Sequence, residues 1–584
     1  MMYLSRKILC GFLSGAAVIS LATAGAYAQT ANPAPPPGAA DAARLDQRFD
    51  QQERERDWQK LEPDMAEQQV VPMIPEGADS IRFTLEALDI EGMSAYAPED
   101  IAPLYTPYLG QEISLVTLFE IMAEVQRRYY ADGYTLTKVF IPNQEIEEGR
   151  ARLLVVEGYV AELEIDPAIL PSPVIADFRS RILAMRPLNV KMLERLMLIL
   201  NDLPDLDVSS LLAKIGPDSP EAADPLSGAV RLILKKNEGE YSHGEISFDN
   251  YGSVFIGPYQ GSITGRLPHV GQNYSELSVL GVGTTSFQEQ KYAQMQYASP
   301  IFGASGAMAV VDASYAQTEP GEELDVLDIR GFSRSISANI SYPIWRQRSE
   351  TLKISAGFEF RNSTTDILKT LLYDDRQRIA SVGLNYGFSD RHNGLNVIDV
   401  RYSKGLDVMG VRDAGSDDLS RADGHPDFDK FSFYAARLQS LPNNWGVYAS
   451  LRAQHSAKPL LSSEEFGFGG AQSGRGYNPA ELTGDKGVAA SVELRWTNPY
   501  SPGGFDLQLQ HYGFYDAGTV WNIDNNDTVR QSAASAGVGT RFRLMEKWDG
   551  DVSLAFPLTR EPSSPPPYAD SFGPRALFSI TRRF

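Results

Sequence analysis

Leu352-Lys-Ile-Ser-Ala-Gly-Phe-Glu-Phe-Arg361 alternates without a break. Leu352, Ile354, Ala356, Phe358 and Phe360 fall on one side, and Lys353, Ser355, Gly357, Glu359 and Arg361 on the other. A period of two is that of an extended strand, whose successive side chains point to opposite faces. The pattern recurs before this stretch, where Tyr259, Gly261, Ile263, Gly265 and Leu267 alternate with Gln260, Ser262, Thr264 and Arg266, and Ile336, Ala338, Ile340 and Tyr342 alternate with Ser335, Ser337, Asn339 and Ser341. It recurs after it in Val447, Ala449, Leu451 and Ala453, and at the very end in Phe578, Ile580, Arg582 and Phe584. A soluble sandwich also alternates. Here the runs persist from about Tyr241 to the end with no helical period between them, their polar faces carry charges, and short turns alternate with longer polar loops. Membrane strands of about 9–11 residues plus connections place about 16 antiparallel strands between residues 239 and 584. A barrel of that size encloses an aqueous channel unless something fills it.

Ahead of residue 239 the texture is different. Arg6 and Lys7, an apolar run from Ile8 to about Ala22 and Ala26-Tyr-Ala28 read as an export leader over residues 1–28. Cys10, the one cysteine, lies inside it, so the mature chain has no disulfide framework, which suits a Gram-negative envelope. Residues 29–79 hold an Ala/Pro-rich stretch, a helix over about 41–62 and a proline-marked linker. That helix is polar nearly all round and about 30 Å long at 1.5 Å per residue, which suits either a wet lumen or the periplasm. Residues 80–158 and 159–238 each read as β-α-α-β-β. In the first, Ser114 caps a helix to Tyr130 that Gly133 stops, and strands follow near Tyr134–Ile141 and Ala151–Glu157. In the second, a strand near Val160–Ile165 precedes helices near 173–184 and 190–202 and strands near Leu206–Lys214 and Gly228–Lys236.

Within the alternating region one loop stands apart: Phe466-Gly-Phe-Gly-Gly-Ala-Gln-Ser-Gly-Arg-Gly-Tyr477. Its glycines let the backbone turn sharply and approach a wall, so the stretch Gly474, Arg475, Gly476, Tyr477 can carry one cation back into a cavity. About forty residues on, Phe514-Tyr-Asp-Ala-Gly518 closes a strand in which Gln508, Gln510, Tyr512, Phe514 and Asp516 share the polar face. Asp516 is therefore expected to pair with Arg475, whose planar fork matches a carboxylate in a bidentate way. That pair either positions the loop for function or merely stabilises the barrel.

The net charge of −22 argues against nucleic acid as a partner. His243, His269, His392, His425, His455 and His511 are scattered without metal-ligand spacing, and no G-x-S-x-G elbow or nucleotide-binding signature is present, so neither catalysis nor a cofactor is expected. Glu464-Glu465 and Asp417-Asp418 read as solvated loop charges.

Two helix-containing units, then a barrel carrying Gly474-Arg-Gly-Tyr477 and Phe514-Tyr-Asp-Ala-Gly518, resemble the TpsB transporters of two-partner secretion, the haemolysin-activator and filamentous-haemagglutinin type of outer-membrane protein. The resemblance spans nearly the whole mature chain. Gly133-Tyr134, Val139-Phe-Ile-Pro-Asn-Gln144, Gly149 and Val156-Glu-Gly158 match that family's polypeptide-transport-associated (POTRA) domain. Ser247-Phe-Asp-Asn-Tyr-Gly252 with Gly257 resembles its first barrel strand, and Phe584 resembles the terminal signal read by the barrel-assembly machinery. Each motif is modest alone; their order and spacing together are specific. One departure is Gly474, where the family usually has an aliphatic residue.

The resemblance implies a pore in the outer-membrane lipid, fed from the periplasm, that exports an unfolded passenger of β-helical character. Capture would be strand addition to an exposed sheet edge, here Tyr134–Ile141 with Tyr134, Leu136 and Val139, walled by the helix ending at Tyr130. The ordinary alternative is that those three side chains are domain core. Helix 41–62 would be a plug. The rival readings are a barrel-assembly factor of the same superfamily and a ligand-gated porin.

Overall fold

The computed structural model describes residues 41–45, 48, 74–216, 219–224, 226–237, 239, 241–500, 506–524, 527–563 and 572–584. The expected leader, residues 29–40 and most of helix 41–62 with the linker to residue 73 lie outside the described residues.

The first unit runs β1 (Arg82–Leu85), β2 (Ala87–Glu91), α1 (Pro98–Ile101), β3 (Gln111–Ser114), α2 (Leu115–Ala131), β4 (Lys138–Phe140) and β5 (Arg150–Val156). Ser114 begins α2 as expected, its hydroxyl accepting the Thr117 N–H, and Gly133 at φ +98° follows the last turn. The buried stripe Leu118, Ile121, Val125 and Tyr129 packs α2 against Leu153 and Val155. The second unit runs β6 (Tyr159–Ile165), α3 (Pro173–Ala184), α4 (Val190–Asn201), β7 (Val208–Lys214) and β8 (Ala229–Lys236). Ser172 and Asn189 cap its two helices. The sheets are ordered β2-β5-β4 and β6-β8-β7. In each, the first strand lies parallel to the last and the middle strand antiparallel at the edge. The repeat is thus one of topology.

The units meet where the end of α2 touches the start of α4. Val190 N–H donates to Gly133 O at 2.8 Å and Leu188 N–H to Gly158 O at 2.7 Å, while the Asn189 amide donates to Asp132 O at 2.8 Å. The second unit in turn grips the turns at one end of the strand-built domain that follows. Asp202 takes both arms of Arg346, at 2.8 and 2.9 Å, Arg195 donates to the Pro343 carbonyl at 2.6 Å, and Asp177 accepts Ala304 N–H at 2.7 Å.

From Gly244 to Arg583 sixteen antiparallel strands close into a barrel. Their side chains invert the arrangement of a soluble sandwich. On Arg330–Arg346, Ile336 and Ile340 are 59% and 51% exposed while Ser333 and Ser335 are buried. Inside, Ser335 bonds Ser314 at 2.8 Å and Ser333 bonds Ser363 at 3.0 Å. An apolar outside around a hydrogen-bonded polar inside is stable only where the outside is lipid. Among the described residues no helix is long and apolar enough to cross a membrane; the crossing is made by strands. The last strand, Arg575–Arg583, pairs with the first, Gly244–Asp249, and Phe584 exchanges N–H and C=O bonds with Gly244, both at 3.1 Å.

Candidate functional site

The loop from residue 457 to 485 joins strands Trp445–Ser456 and Lys486–Tyr500 and contains a small hairpin, Phe466–Phe468 with Leu482–Gly484. Phe466, Phe468, Tyr477 and Leu482 pack on Ala489, Val520 and Ala533 of the wall, so the loop lies in the lumen. Gly474 sits at φ +83°, and a Cβ there would press on the Phe468 ring at 2.7 Å. Any side chain at this position would be strained by the positive φ and pressed onto that ring. Gly518 is held bare by the same Phe468 ring, and Gly476 lies close against Ser535 and Pro557.

Arg475 is buried, and so is Asp516, which is 0% exposed. The Arg475 Nε and Nη2 donate to the two Asp516 oxygens at 3.0 and 2.7 Å, and the backbone N–H groups of Gly474 and Arg475 both donate to Oδ2 at 3.1 Å. Ser491 Oγ donates to Oδ1 at 2.7 Å and accepts from Arg475 Nη2 at 3.0 Å. Phe514 lies beneath the guanidinium, 3.6 Å from its carbon to the ring centroid. Tyr477 turns into the wall and donates to Ala534 O at 3.0 Å, while its carbonyl accepts from Arg575 on the last strand.

Sequence reasoning missed a second carboxylate. Glu493 accepts from Arg475 at 2.6 Å, Arg495 at 2.7 Å and Arg541 at 3.1 Å. The signal was available, since Ser491, Glu493 and Arg495 alternate along Lys486–Tyr500, in register with Asp516, Phe514 and Tyr512.

Glu464 and Glu465 are not solvated. They are buried, Glu464 against Lys430 and Arg361 and Glu465 against Arg421 and Arg44. The loop folds inward, so its charges had to bring partners with them. Asp417 is exposed, as expected, whereas Asp418 is half-buried and pairs with Arg412 at 3.0 Å. Arg44 belongs to the start of the N-terminal helical segment. It donates to Ser462 O at 3.1 Å and Glu465 O at 3.0 Å, and Asp41 accepts from Ser462 Oγ at 2.6 Å and Tyr373 OH at 3.1 Å. Ala42 and Leu45 pack on Ile256, Val282, Tyr292 and Ala316, and Arg48 reaches the Tyr251 carbonyl at 3.1 Å. Towards the second unit, a cavity of about 1310 Å³ extends from its Asn201–Asp207 segment past Tyr241 and Asp249 to Arg475 and Glu493.

In the first unit the expected edge is shorter than the sequence suggested. Only Lys138–Phe140 is strand. Tyr134 is still in the turn that ends α2, its N–H bonded to Tyr129 O at 2.8 Å and its ring set edge-on to Tyr96 and Tyr129. Leu136 packs on the second unit's core, and Val139 is buried in its own. These three side chains are core; any capture at this edge falls to its backbone.

A family model described as haemolysin secretion/activation protein ShlB/FhaC/HecB matches residues 228–542, and a ShlB-type POTRA domain model matches 83–158. The chain belongs to the ShlB/FhaC/HecB family. It is 24% identical over 474 residues to the heme/hemopexin transporter protein HuxB of Haemophilus influenzae strain 86-028NP, covering 79% of this chain and 80% of that one. Against the outer membrane transporter CdiB of Dickeya dadantii it is 22% identical over 483 residues, 82% and 83% of the two chains. The solved structure of CdiB from Escherichia coli has the same fold, with a TM-score of 0.76 at 17% identity over 94% of this chain and 99% of that one. As a ShlB/FhaC/HecB protein it is a two-partner secretion transporter. Its barrel lies in the outer membrane, its POTRA domains lie in the periplasm, and it exports a secreted partner protein through the barrel.

Proposed function

We propose that the Arg475–Asp516 pair positions the lumen loop for transport and that the N-terminal segment is the transporter's plug. The observation that carries this reading is the convergence of both segments inside one closed barrel. Arg475 is bonded to Asp516 on the wall, and Arg44 of the N-terminal segment is bonded to the same loop through Ser462 and Glu465. An extended passenger enters the cavity between the second POTRA domain and the lumen, displaces the N-terminal plug, passes the docked loop and folds outside. The polar lumen, with its serine pairs and charged rows, accommodates a hydrated main chain without selecting its sequence. The passenger is of β-helical character, since strands that form only outside make export one-directional. The surrounding partners are outer-membrane lipid on the apolar belt and the barrel-assembly machinery, which reads Phe584. The chain itself performs no catalysis. Deleting the gene in the native host removes the exported protein from the culture medium, and re-expressing the chain restores it. An unchanged medium refutes the export reading.

A further inference from the structure

A row of aromatic and basic side chains crosses the outward face of the barrel at the end remote from the POTRA domains. Tyr402, Phe431 and His455 are partners across three neighbouring strands. Lys486 stands one step beyond the last pair of the next ladder, Gln454–Gly487, and Trp521 and Arg530 continue from it in register. The lumen side fixes their phase. Gln454 donates to Glu464 O of the lumen loop at 2.9 Å, and the Phe466 ring of that loop lies against Gly487, so His455 and Lys486 point away from the lumen. The turns fix the end. The second POTRA domain bonds Ala304 and Pro343 in the turns after strands Gln290–Ile301 and Arg330–Arg346. Strand direction alternates, so the 441–444 turn lies at that same end, and His455 and Lys486 lie at the other.

Between the aromatic members of the row the surface dips. Phe431 and Phe433 stand on one side and Trp521 on the other, with the smaller Ala453 and Val488 between them, and the groove they bound holds about 570 Å³. That volume falls within the ~300–1,000 Å³ of sites that take an apolar ligand. His455 and Lys486 stand at its extracellular end and make no hydrogen bond or ion pair with a described residue. The carboxylates flanking them are committed elsewhere: Asp429 holds Lys404 at 2.9 Å, Asp427 holds Lys458, and Asp485 turns inward to Arg421 at 2.6 Å. Arg530, exposed, adds a third base beside the Trp521 ring, 6.0 Å from its centroid. An apolar trough in the lipid-facing wall, topped by bases at the level of an aromatic girdle, is complementary to an acyl chain beneath an anionic headgroup.

We propose that this groove binds a phosphorylated glycolipid of the outer leaflet. An acyl chain lies over Ala453 and Val488, and a phosphate sits among Lys486, His455 and Arg530, the charge-assisted donors that such a group favours. A zwitterionic phospholipid can fill the trough but brings no net charge to the bases. The site straddles the two strands that the lumen loop joins, since His455 and Lys486 flank that loop. A bound glycolipid therefore ties the loop's two stems together from outside, on the other side of the wall from Phe466.

The test uses the purified full chain in detergent, stripped of lipid and titrated with diphosphoryl lipid A or with phosphatidylethanolamine, the bound copies being counted by native mass spectrometry. The parent chain is expected to bind lipid A about tenfold or more tightly than phosphatidylethanolamine. Lys486→Gln and Arg530→Gln are each expected to weaken lipid A binding about fivefold and to leave phosphatidylethanolamine unchanged. Lys404→Gln, whose base is already paired, is expected to stay within about twofold of the parent. Ala453→Trp fills the trough and is expected to abolish the preference for lipid A. Equal binding of the two lipids by the parent chain reveals an unselective lipid belt and overturns the proposal, as does a Lys486→Gln chain that binds lipid A like the parent. A chain dimer that Ala453→Trp abolishes and lipid A does not displace assigns the groove to a second copy and overturns it too. Should Ala453→Trp fail to assemble, the charge variants decide.

Discussion

Replacing Asp516 by alanine takes from the lumen loop the group that receives most of its anchoring bonds. The carboxylate accepts two guanidinium donors, two backbone N–H groups and the Ser491 hydroxyl, and it is wholly buried. Breaking a buried pair from one side costs about 3–5 kcal/mol. Here Arg475 retains Glu493 at 2.6 Å, so about 3 kcal/mol is the appropriate figure, which moves the docked-to-released ratio of the loop by about a hundredfold. Arg475→Ala removes the same pair, but Asp516 keeps its two backbone donors and Ser491, and Glu493 keeps Arg495 and Arg541, so its cost falls at or below that value. Arg475→Lys rescues only in part, because a point charge cannot bridge both Asp516 oxygens and Glu493. The assay combines export into the medium with labelling of a cysteine at Gln472→Cys by a membrane-impermeant maleimide. Each alanine variant is expected to keep a heat-modifiable barrel, label faster and export little. If the variants export normally but the barrel melts at lower temperature, the pair is structural. If both alanine variants export, melt and label like the parent, the reasoning is refuted.

Two further outcomes follow from other parts of the molecule. Deleting residues 41–62 removes the segment whose start packs on Ile256 and Val282 and binds Ser462; single-channel conductance in planar bilayers is expected to rise roughly severalfold with the barrel intact, and an unchanged conductance places the rest of that helix outside the lumen. At the joint between the POTRA domains, burial opposes ionisation of Glu157, but bonds from the Ser94 hydroxyl, the Ser94 and Ala95 N–H groups and the Tyr129 hydroxyl prevail and hold its carboxyl below the usual range. A depressed folded value means that this stabilisation is complete above about pH 4.3 and is lost as the pH falls through the lower value. Amide exchange at Ser94 and Ala95 is expected to lose protection on acidification in the parent chain and to be already fast at pH 7 in Glu157→Ala, which removes the acceptor; equal protection in both counts against it.

Much of the architecture was legible because it rests on local rules. A period of two exposes Ile336 to lipid and turns Ser335 inward, and a serine or asparagine before an apolar stripe starts α2, α3 and α4 where the residues say. Asp516 could be read because its phase along one strand is set by its neighbours. Glu464 and Glu465 could not. Their partners Arg361, Arg421 and Lys430 come from other strands and loops, and nothing local says that residues 457–485 fold inward. The edge at Tyr134–Ile141 was overdrawn for a related reason. Its alternation is genuine, but the turn after Gly133 and the aromatic contacts of Tyr134 take its first residues into the core before pairing begins at Lys138.

Closure of the barrel by Gly244 and Phe584 has a bearing on how the molecule is made. Tyr251 and Ser579, which bond across the same seam, are 328 residues apart in sequence. Every other neighbouring pair of barrel strands is consecutive in the chain or separated only by the lumen loop, so hairpins can form early and locally, whereas this junction closes the largest loop in the domain and waits for the last strand of the barrel. High contact order and late loop closure go together. Until then both terminal strands carry open edges capable of pairing with any strand they meet. The nascent barrel is therefore at greatest risk of aggregation immediately before completion, and substitutions at Phe584 should reduce the yield of assembled transporter more than they reduce the stability of barrels already closed.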